Sequence, residues 1–297
     1  MNAAAKENKL KGYIAGIVAA VAYGTNPLGA LFLYDEGLSP ASVIFYRFAL
    51  AVAILFVILK IQRVPLKLDK RELKLLVSLG FIFAVSALTL YSSFRHIDSG
   101  IASTILFVYP VMVAVIMAVF FKEKATFSTI FSIVLSLAGI VLLYQGDGGG
   151  RLSVPGVILV LVSALTYAIY IVIVNQSGIS LPPFKMTFYI MLFATIVTVL
   201  FSFVSPENHL MALPTWRAAG WVLMLALVPT IVAMTCLNVG IAKAGSTPTA
   251  ILGALEPATA VMISIAVFGC TFSLRLAAGI ALILSSVLII VVMSRKN

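Results

Sequence analysis

The sequence predicts an all-α, polytopic membrane protein in which ten transmembrane helices form two inverted five-helix repeats. The first observation behind this prediction is composition. Of 297 residues, 62% are hydrophobic and only 10% are charged, and the mean hydropathy is +1.15. A soluble domain is about 45–50% apolar and about 25% charged, so this chain has too few charges to cover a soluble core.

The second observation is the number of long apolar runs. A helix needs about 20 mainly apolar residues to cross a bilayer, and ten such runs are separated by short loops that carry nearly all the charge. The predicted spans are Gly12–Tyr34, Ala41–Lys60, Glu72–Phe94, Ile97–Phe121, Ser128–Tyr144, Val154–Asn175, Pro183–Val204, Trp216–Ile241, Thr247–Phe268 and Leu274–Met293.

The third observation is an internal repeat. Residues 97–110 align with residues 244–257 at an offset of 147, which places Tyr109-Pro110 opposite Glu256-Pro257. We therefore predict a first repeat at 1–150 and a second at 151–297. Because five spans is an odd number, the second repeat must enter the membrane from the opposite side, an arrangement typical of two-sided transporters.

The distribution of basic residues predicts the orientation in the membrane. Loops on the N-terminal side carry fifteen Lys and Arg residues, whereas the loops on the other side carry four. Positive loops face the cytoplasm, so we expect both termini to be cytoplasmic and the protein to reside in the cytoplasmic (inner) membrane. This distribution also accounts for the net charge of +10. The charge therefore does not indicate nucleic-acid binding, and we exclude that function.

Glu256 is the acidic residue that lies deep within a predicted span. Counting along a helix from Thr247 places it about 14 Å inside, near the middle of a core roughly 30 Å thick. An ionised carboxylate is costly there unless it is paired, hydrated or protonated. Two interpretations follow: Glu256 couples transport to protons, or it is a neutral acid that hydrogen-bonds a neighbouring helix beside the break at Pro257.

Arg47 is the matching basic residue, about 10 Å inside the second span. Its guanidinium cannot be deprotonated, so it must snorkel, pair or line a wet cavity. The sequence favours an anchor to lipid headgroups or helix-end carbonyls. Pairing with Glu256 is the alternative, because their depths differ by only about 5 Å.

Polar and aromatic residues share faces within several spans, for example Tyr23 with Asn26, and Tyr167 with Tyr170. Four prolines also lie inside spans, where the backbone carbonyls that they free are tolerated if they line a cavity. Together these features predict a central aqueous cavity. The prolines are Pro27, Pro110, Pro229 and Pro257.

No motif for catalysis, metal binding or cofactor binding is present, and a lone deep carboxylate cannot perform paired acid–base chemistry. The two cysteines, Cys236 and Cys270, have neither metal nor disulfide spacing. The sequence therefore predicts no cofactor, no metal site and no catalytic residue.

The chain resembles the EamA-type, ten-helix members of the drug/metabolite transporter superfamily, which include aromatic amino-acid exporters. The resemblance covers essentially the whole chain, but Gly269-Cys270 stands where the family often has a glutamate. It is carried by Ser39-Pro40 leading to Arg47, by Asp98-Ser99-Gly100 with Tyr109-Pro110, by Lys122-Glu123 followed by Thr126, and by Gly245-Ser246 with Glu256-Pro257.

This resemblance implies a central cavity lined by helices 1, 3, 4, 6, 8 and 9, and small organic metabolites as substrates, commonly moved outward. In this sequence the implied substrate-binding residues are Tyr23, Asn26, Tyr91, Tyr109, Tyr167, Tyr170, Asn238 and Glu256, with Glu256 and Arg47 as the coupling charges.

We therefore predict a secondary transporter of an amino acid or drug-like compound that works by rocking of its two halves. An uncoupled facilitator, an intramembrane enzyme and a membrane sensor remain alternatives. The expected partners are the substrate and the lipid bilayer. Small residues spaced four apart, at Gly12 and Gly16 and at Ala277 and Ala281, also permit a homodimer.

Overall fold

The computed structural model describes residues 3–122, 127–144, 152–177, 181–204, 209–244, 252–253, 255–269 and 273–293. Its elements are α1 (Ala3–Gly24), α2 (Asn26–Asp35), α3 (Pro40–Ile61), α4 (Lys70–Ser93), α5 (Ser99–Leu106), α6 (Tyr109–Phe120), α7 (Phe127–Tyr144), α8 (Val154–Gln176), α9 (Pro183–Val204), α10 (Trp216–Ala226), a π-helical segment (Leu227–Val232), α11 (Ala233–Ala244), α12 (Leu255–Phe268) and α13 (Leu274–Met293).

These helices confirm the predicted all-α membrane fold. Seven helical runs within the described ranges are long and apolar enough to cross a membrane, and α12 and the Leu274–Ser286 part of α13 are shorter apolar helices. Each predicted span coincides with helix, although most of the first half of the ninth span, 247–254, lies outside the described residues. We number the spans 1 to 10, so that span 1 is α1 with α2, span 4 is α5 with α6, span 8 is α10 to α11, span 9 contains α12, and span 10 is α13.

The helix packing follows a pseudo-twofold relation between spans that are five apart in the chain. Span 1 packs mainly on span 8, and its counterpart, span 6, packs on span 3. Span 1 also contacts span 9, and span 6 likewise contacts span 4. Spans 2 and 7, 4 and 9, and 5 and 10 pack on their own counterparts. The first repeat is therefore interleaved with the second rather than set beside it.

All four prolines that the sequence places inside spans lie at interruptions of the helices. Pro27 and Pro110 occupy the first turns of α2 and α6, just after breaks at Thr25 and at residues 107–108. Pro257 lies in the first turn of α12, and Pro229 lies within the π-helical segment. Proline has no N–H to donate but fits the first helical turn, so each break falls where the ring is tolerated.

Local sequence signals determine where the helices in these spans begin. Asp98 caps α5 by accepting hydrogen bonds from the Gly100 and Ile101 amides at 2.8 and 3.1 Å. Gly100 lies against α12, because a Cβ there would stand 3.0 Å from Val261 Cα. The Asp98-Ser99-Gly100 motif thus combines a helix cap with a close helix–helix approach between spans 4 and 9.

Two faces of the molecule are named here by the course of span 1. The N-terminal face is the end at which α1 begins, and the far face is the opposite end. On the far face, the Ser39 and Ser42 hydroxyls donate to the His209 carbonyl at 3.0 and 3.3 Å. Tyr46 donates to the Met211 carbonyl at 2.9 Å. These bonds fasten the segment before α10 across the start of α3.

Candidate functional site: a central cavity that reaches Glu256

A cavity of about 440 Å³ lies between the two repeats, in the size range of small-molecule sites. Spans 1, 3, 4, 6, 8 and 9 line it, as the family resemblance implies, and span 7 contributes as well. The cavity runs from the level of Tyr23 toward the N-terminal face, because its lining includes Gly16 of α1 and Pro183 at the start of α9. A small organic molecule could therefore enter from that face.

Glu256 is the one charged residue among the described residues that line this cavity. It is the second residue of α12, so the break before the helix places its side chain at the cavity wall. None of the described residues donates a hydrogen bond to its carboxylate or forms an ion pair with it. The interpretation of Glu256 as an acid hydrogen-bonded to a neighbouring helix therefore has no support among the described residues.

Close packing of the backbone fixes the position of this carboxylate. Gly24, the last residue of α1, lies so near α12 that a Cβ there would stand 2.7 Å from the Glu256 carbonyl oxygen and 2.5 Å from Thr259 Cβ. Only a glycine permits this approach. Span 1 and the break in span 9 therefore meet beside the carboxylate.

Three tyrosine rings from spans 4 and 6 form an aromatic cluster in the cavity wall. The Tyr109 and Tyr167 rings meet edge to face with centroids 4.8 Å apart. The Tyr167 and Tyr170 rings are parallel, with centroids 5.9 Å apart. Tyr23 lines the same cavity from span 1. Such rings offer flat apolar surface and hydroxyl groups to a ligand.

A second chamber of about 70 Å³ continues the site toward the far face. It shares Tyr23, Tyr109, Tyr167 and Glu256 with the larger cavity, and Arg47 lies in its wall. The carboxylate therefore stands where the two chambers meet, with the wide cavity on the N-terminal side of it and the narrow chamber on the other.

Arg47 occupies the far end of this chamber and is 5% exposed. Its Nε donates to Thr230 Oγ1 at 2.8 Å, and its NH1 donates to Asn26 Oδ1 at 2.7 Å and to the Tyr91 hydroxyl at 2.6 Å. Its NH2 donates to the Pro229 carbonyl at 3.3 Å. The Tyr91 hydroxyl in turn donates to Asn26 Oδ1 at 3.2 Å. We call these five residues the Arg47 network.

The Arg47 network corrects the expectation that Arg47 anchors to lipid headgroups. The side chain points inward, and its four acceptors among the described residues are neutral. One of them, the Pro229 carbonyl, belongs to the π-helical segment, so only the helix-carbonyl part of the expectation holds. No ion pair with Glu256 forms between these described side chains, although both line the small chamber. The charge is compensated by hydrogen bonds and by the Phe48 and Tyr91 rings, whose centroids lie 5.6 and 5.7 Å from the guanidinium carbon.

The structure brings most of the predicted site residues together but divides them between the two chambers. Tyr23, Tyr109, Tyr167, Tyr170 and Glu256 line the larger cavity. Asn26 and Tyr91 line only the smaller one, where they bind Arg47. The side chain of Asn238 lies outside the described residues.

The sequence analysis missed the apolar part of the lining. Phe83 borders both chambers, and Met186 and Ile190 bring span 7 to the larger cavity. Apolar residues fill every span of this chain, so nothing in the sequence distinguishes these from residues that face lipid. Gly16, one of the proposed dimer residues, packs within the chain, since a Cβ there would stand 2.8 Å from Leu252 Cδ1; the homodimer stays a prediction.

A multi-pass helical bundle with a central cavity between interleaved repeats is an architecture typical of membrane transporters, and the comparisons with known proteins agree. The sequence profile of the EamA-like transporter family matches residues 10–145 and 154–292, one copy for each repeat. The chain belongs to the EamA-like transporter family.

Individual relatives are more distant. An uncharacterized transporter of Archaeoglobus fulgidus is 29% identical over 135 residues, which is 45% of this chain and 46% of the relative. The uncharacterized transporter YdfC of Bacillus subtilis is 27% identical over 140 residues, or 46% of this chain and 45% of the relative. The chain thus spans less than half the length of these two relatives.

Two further matches extend over most of the chain. The uncharacterized transporter YcbK of Bacillus subtilis is 22% identical over 266 residues, covering 86% of this chain and 85% of the relative. A solved crystal structure of a protein superimposes with a TM-score of 0.68 at 16% identity, covering 97% of this chain and 99% of that one. This likeness shows that the fold is shared.

Proposed function

We propose that the protein is a secondary transporter that moves a small organic metabolite through the central cavity by alternating access. The observation that carries this proposal is the position of Glu256, a carboxylate without a described partner at the junction of the two chambers. A wide cavity leads to it from the N-terminal face, and the Arg47 network closes the way to the far face. In alternating access, a transporter has a state in which its central site is open to one face of the membrane and closed to the other, and this arrangement matches such a state.

The helix packing suggests which parts move. Spans 3, 4 and 6 pack together, and so do their counterparts, spans 8, 9 and 1. Each group contains helices from both repeats, because span 1 leaves its own repeat to pack on span 8. The rocking units in this proposal are therefore these two interleaved groups, which we call unit A (spans 3, 4 and 6) and unit B (spans 1, 8 and 9), rather than the two sequence halves.

The chemistry of the wall limits the substrate. The tyrosine rings suit a planar or apolar group of the substrate. The Glu256 carboxylate would accept a hydrogen bond from an amine or form an ion pair with an ammonium group. An amino acid or a drug-like compound of this kind fits the cavity of about 440 Å³.

A carboxylate at the site also permits proton coupling, because binding a proton removes the cost of a buried charge. Outward transport, as is common in the family, and a location in the inner membrane complete the proposal. The excess of basic residues on the N-terminal face supports cytoplasmic termini.

A thermal-shift screen of metabolites on the purified protein tests this function first, because a ligand stabilises the folded state to which it binds. Radiolabelled hits are then assayed for flux in proteoliposomes, with protein-free liposomes as the control. We expect saturable, protein-dependent flux of at least one stabilising compound. Stabilising compounds that undergo covalent turnover in detergent would instead favour an intramembrane enzyme, and binding without any flux would favour a sensor.

The same proteoliposomes separate a coupled transporter from an uncoupled facilitator, the second candidate. With an imposed pH gradient, a coupled transporter accumulates substrate above the outside concentration, and a proton ionophore abolishes this accumulation. A facilitator equilibrates the substrate at a rate and to a level that do not depend on the gradient.

A further inference from the structure

We propose that the Arg47 network is a latch that closes the far face, with Arg47 as its positioning residue, and that the latch opens where the Tyr91 hydroxyl meets the rest of the network. This inference rests on the proposed function and goes beyond it. The argument begins with where the bonds of the Arg47 network lie. Arg47 is on span 2, which belongs to neither moving unit. Tyr91 lies near the end of span 3, in unit A. Asn26, Pro229 and Thr230 lie on spans 1 and 8, in unit B.

The network therefore ties the two units together at one hydroxyl group, that of Tyr91, which bonds both the guanidinium of Arg47 and the side chain of Asn26. Three acceptors of the guanidinium, Asn26 Oδ1, the Pro229 carbonyl and Thr230 Oγ1, are in unit B. Only the Tyr91 hydroxyl is in unit A, where it accepts from Arg47 at 2.6 Å and donates to Asn26 at 3.2 Å. When the units separate at the far face, the single hydroxyl is the part of the network that must leave, and Arg47 stays with unit B.

The chemistry of the acceptors makes such a latch reversible. A carboxylate partner would hold the buried guanidinium strongly and would leave two uncompensated charges when the pair broke. Here the acceptors from Asn26, Tyr91, Pro229 and Thr230 are all neutral, so losing the Tyr91 hydroxyl costs one charge-assisted bond and one neutral bond to Asn26, and it leaves three acceptors of Arg47 in place. The guanidinium is charged in every state, so the strength of the latch does not depend on protonation of Arg47 itself.

Span 8 is shaped to receive this cation. The π-helical segment at Leu227–Val232 departs from regular α-helical geometry, and within it the Pro229 carbonyl accepts a hydrogen bond from Arg47. Thr230 is oriented by its own hydroxyl, which donates to the Leu225 carbonyl at 2.9 Å, so that its Oγ1 lone pairs face Arg47 Nε. The π-helical segment therefore supplies two of the acceptors that hold Arg47.

The position of the latch beside Glu256 gives it a consequence for transport. Both residues line the small chamber, and the latch forms its outer wall. A ligand or proton that reaches Glu256 from the wide cavity is thus separated from the far face by the Arg47 network. Opening at Tyr91 would expose the small chamber to the far face while Arg47 stays with unit B in the wall of that chamber.

Labelling of a single cysteine from the far face tests the latch without requiring a known substrate. The reporter is Ala87→Cys, in the wall of the small chamber, in protein that carries Cys236→Ala and Cys270→Ala. The probe is a membrane-impermeant maleimide added to the far side. We expect slow labelling with the intact network and labelling about tenfold faster in Tyr91→Phe, which removes only the hydroxyl and with it the bonds to Arg47 and Asn26.

Two further variants locate the opening. Arg47→Gln should also accelerate labelling, but no more than Tyr91→Phe does, and the double variant should be labelled at the rate of Tyr91→Phe, because that change alone already breaks both hydrogen bonds between the units. Thr230→Val removes a bond between span 2 and unit B, so it should leave the labelling rate within about twofold of the starting protein. Equal acceleration by Thr230→Val would overturn the assignment of the opening to Tyr91.

A control cysteine separates changes of access from changes of folding. Asp35→Cys, exposed at the far face, should be labelled rapidly and equally in every background. With that control intact, unchanged labelling of Ala87→Cys in both Tyr91→Phe and Arg47→Gln would overturn the latch. Neither labelling result depends on flux, so failure of the latch is distinguishable from failure of the proposed function, which would appear as absence of flux in the wild-type protein.

Discussion

Glu256→Gln is expected to abolish the pH dependence of flux while leaving the folded protein intact. Glutamine has nearly the shape of a protonated glutamic acid and can make similar hydrogen bonds, so the packing around α12 should not change. The variant cannot exchange a proton, however, so an imposed pH gradient has no group at this site through which to drive the substrate. Accumulation driven by a pH gradient in proteoliposomes should therefore fall to the level reached by simple equilibration.

The control for Glu256→Gln is Asp35→Asn, which makes the same kind of charge change at an exposed position on the far face. It should leave accumulation and its pH dependence unaltered. Thermal unfolding in detergent shows whether both variants are folded. Wild-type flux with wild-type pH dependence in Glu256→Gln, measured over about pH 5.5–8 to bracket neutrality, would contradict the coupling role and leave the facilitator as the better account.

Gly24→Ala is expected to damage both stability and transport, because the contact that it disrupts involves backbone. The added methyl would stand 2.7 Å from the Glu256 carbonyl oxygen and 2.5 Å from Thr259 Cβ. Neither atom can be moved by a change of rotamer, so α1 and α12 must separate. Overpacking of this kind costs about 1–3 kcal/mol, and the separation also displaces Glu256 from the junction of the chambers.

Gly220→Ala is the matched control for Gly24→Ala. It makes the same substitution in α10, where an added Cβ meets nothing within 4 Å, and alanine favours helix over glycine by about 1 kcal/mol. The melting temperature should therefore stay unchanged or rise, with normal flux. Wild-type melting temperature and flux in Gly24→Ala would show that α1 and α12 do not approach as closely as described.

The fold could be predicted from sequence because the bilayer constrains it strongly. A spanning helix must satisfy its own backbone hydrogen bonds, so length and apolarity alone identify the spans, and the bounds of the seventh, Pro183–Val204, are reproduced residue for residue. The prolines marked the breaks for a related reason. Proline cannot donate a backbone hydrogen bond, so Pro110 and Pro257 had to fall where a helix starts.

The site was predictable only in part, because depth along a helix is readable from sequence and rotation about its axis is not. The depth of Glu256 followed from counting residues, and its place at the cavity wall agrees with that count. The acceptors of Arg47 did not follow, since Thr230 lies 183 positions away and meets it only through the packing of spans 2 and 8. The π-helical segment was missed for the same reason.

The interleaving of the repeats is a further result that the sequence could not give. An internal repeat shows that the chain is duplicated, but not whether the copies lie side by side or exchange helices. Span 1 packs on span 8 because small residues there allow a close approach, as Gly29 shows: a Cβ at Gly29 would stand 2.6 Å from Leu225 Cγ. The expectation that the two sequence halves move as rigid bodies gives way to units A and B in the proposed mechanism.

The most direct test of the central claim, that the cavity reaching Glu256 is the transport path, is the effect of a block placed within it. Ala20→Cys lies in the cavity wall one turn from Tyr23 and can be modified by an impermeant maleimide from the N-terminal face. The account predicts that modification abolishes flux and that a ligand found in the thermal-shift screen protects the cysteine. Full modification with flux at the unmodified rate would contradict it.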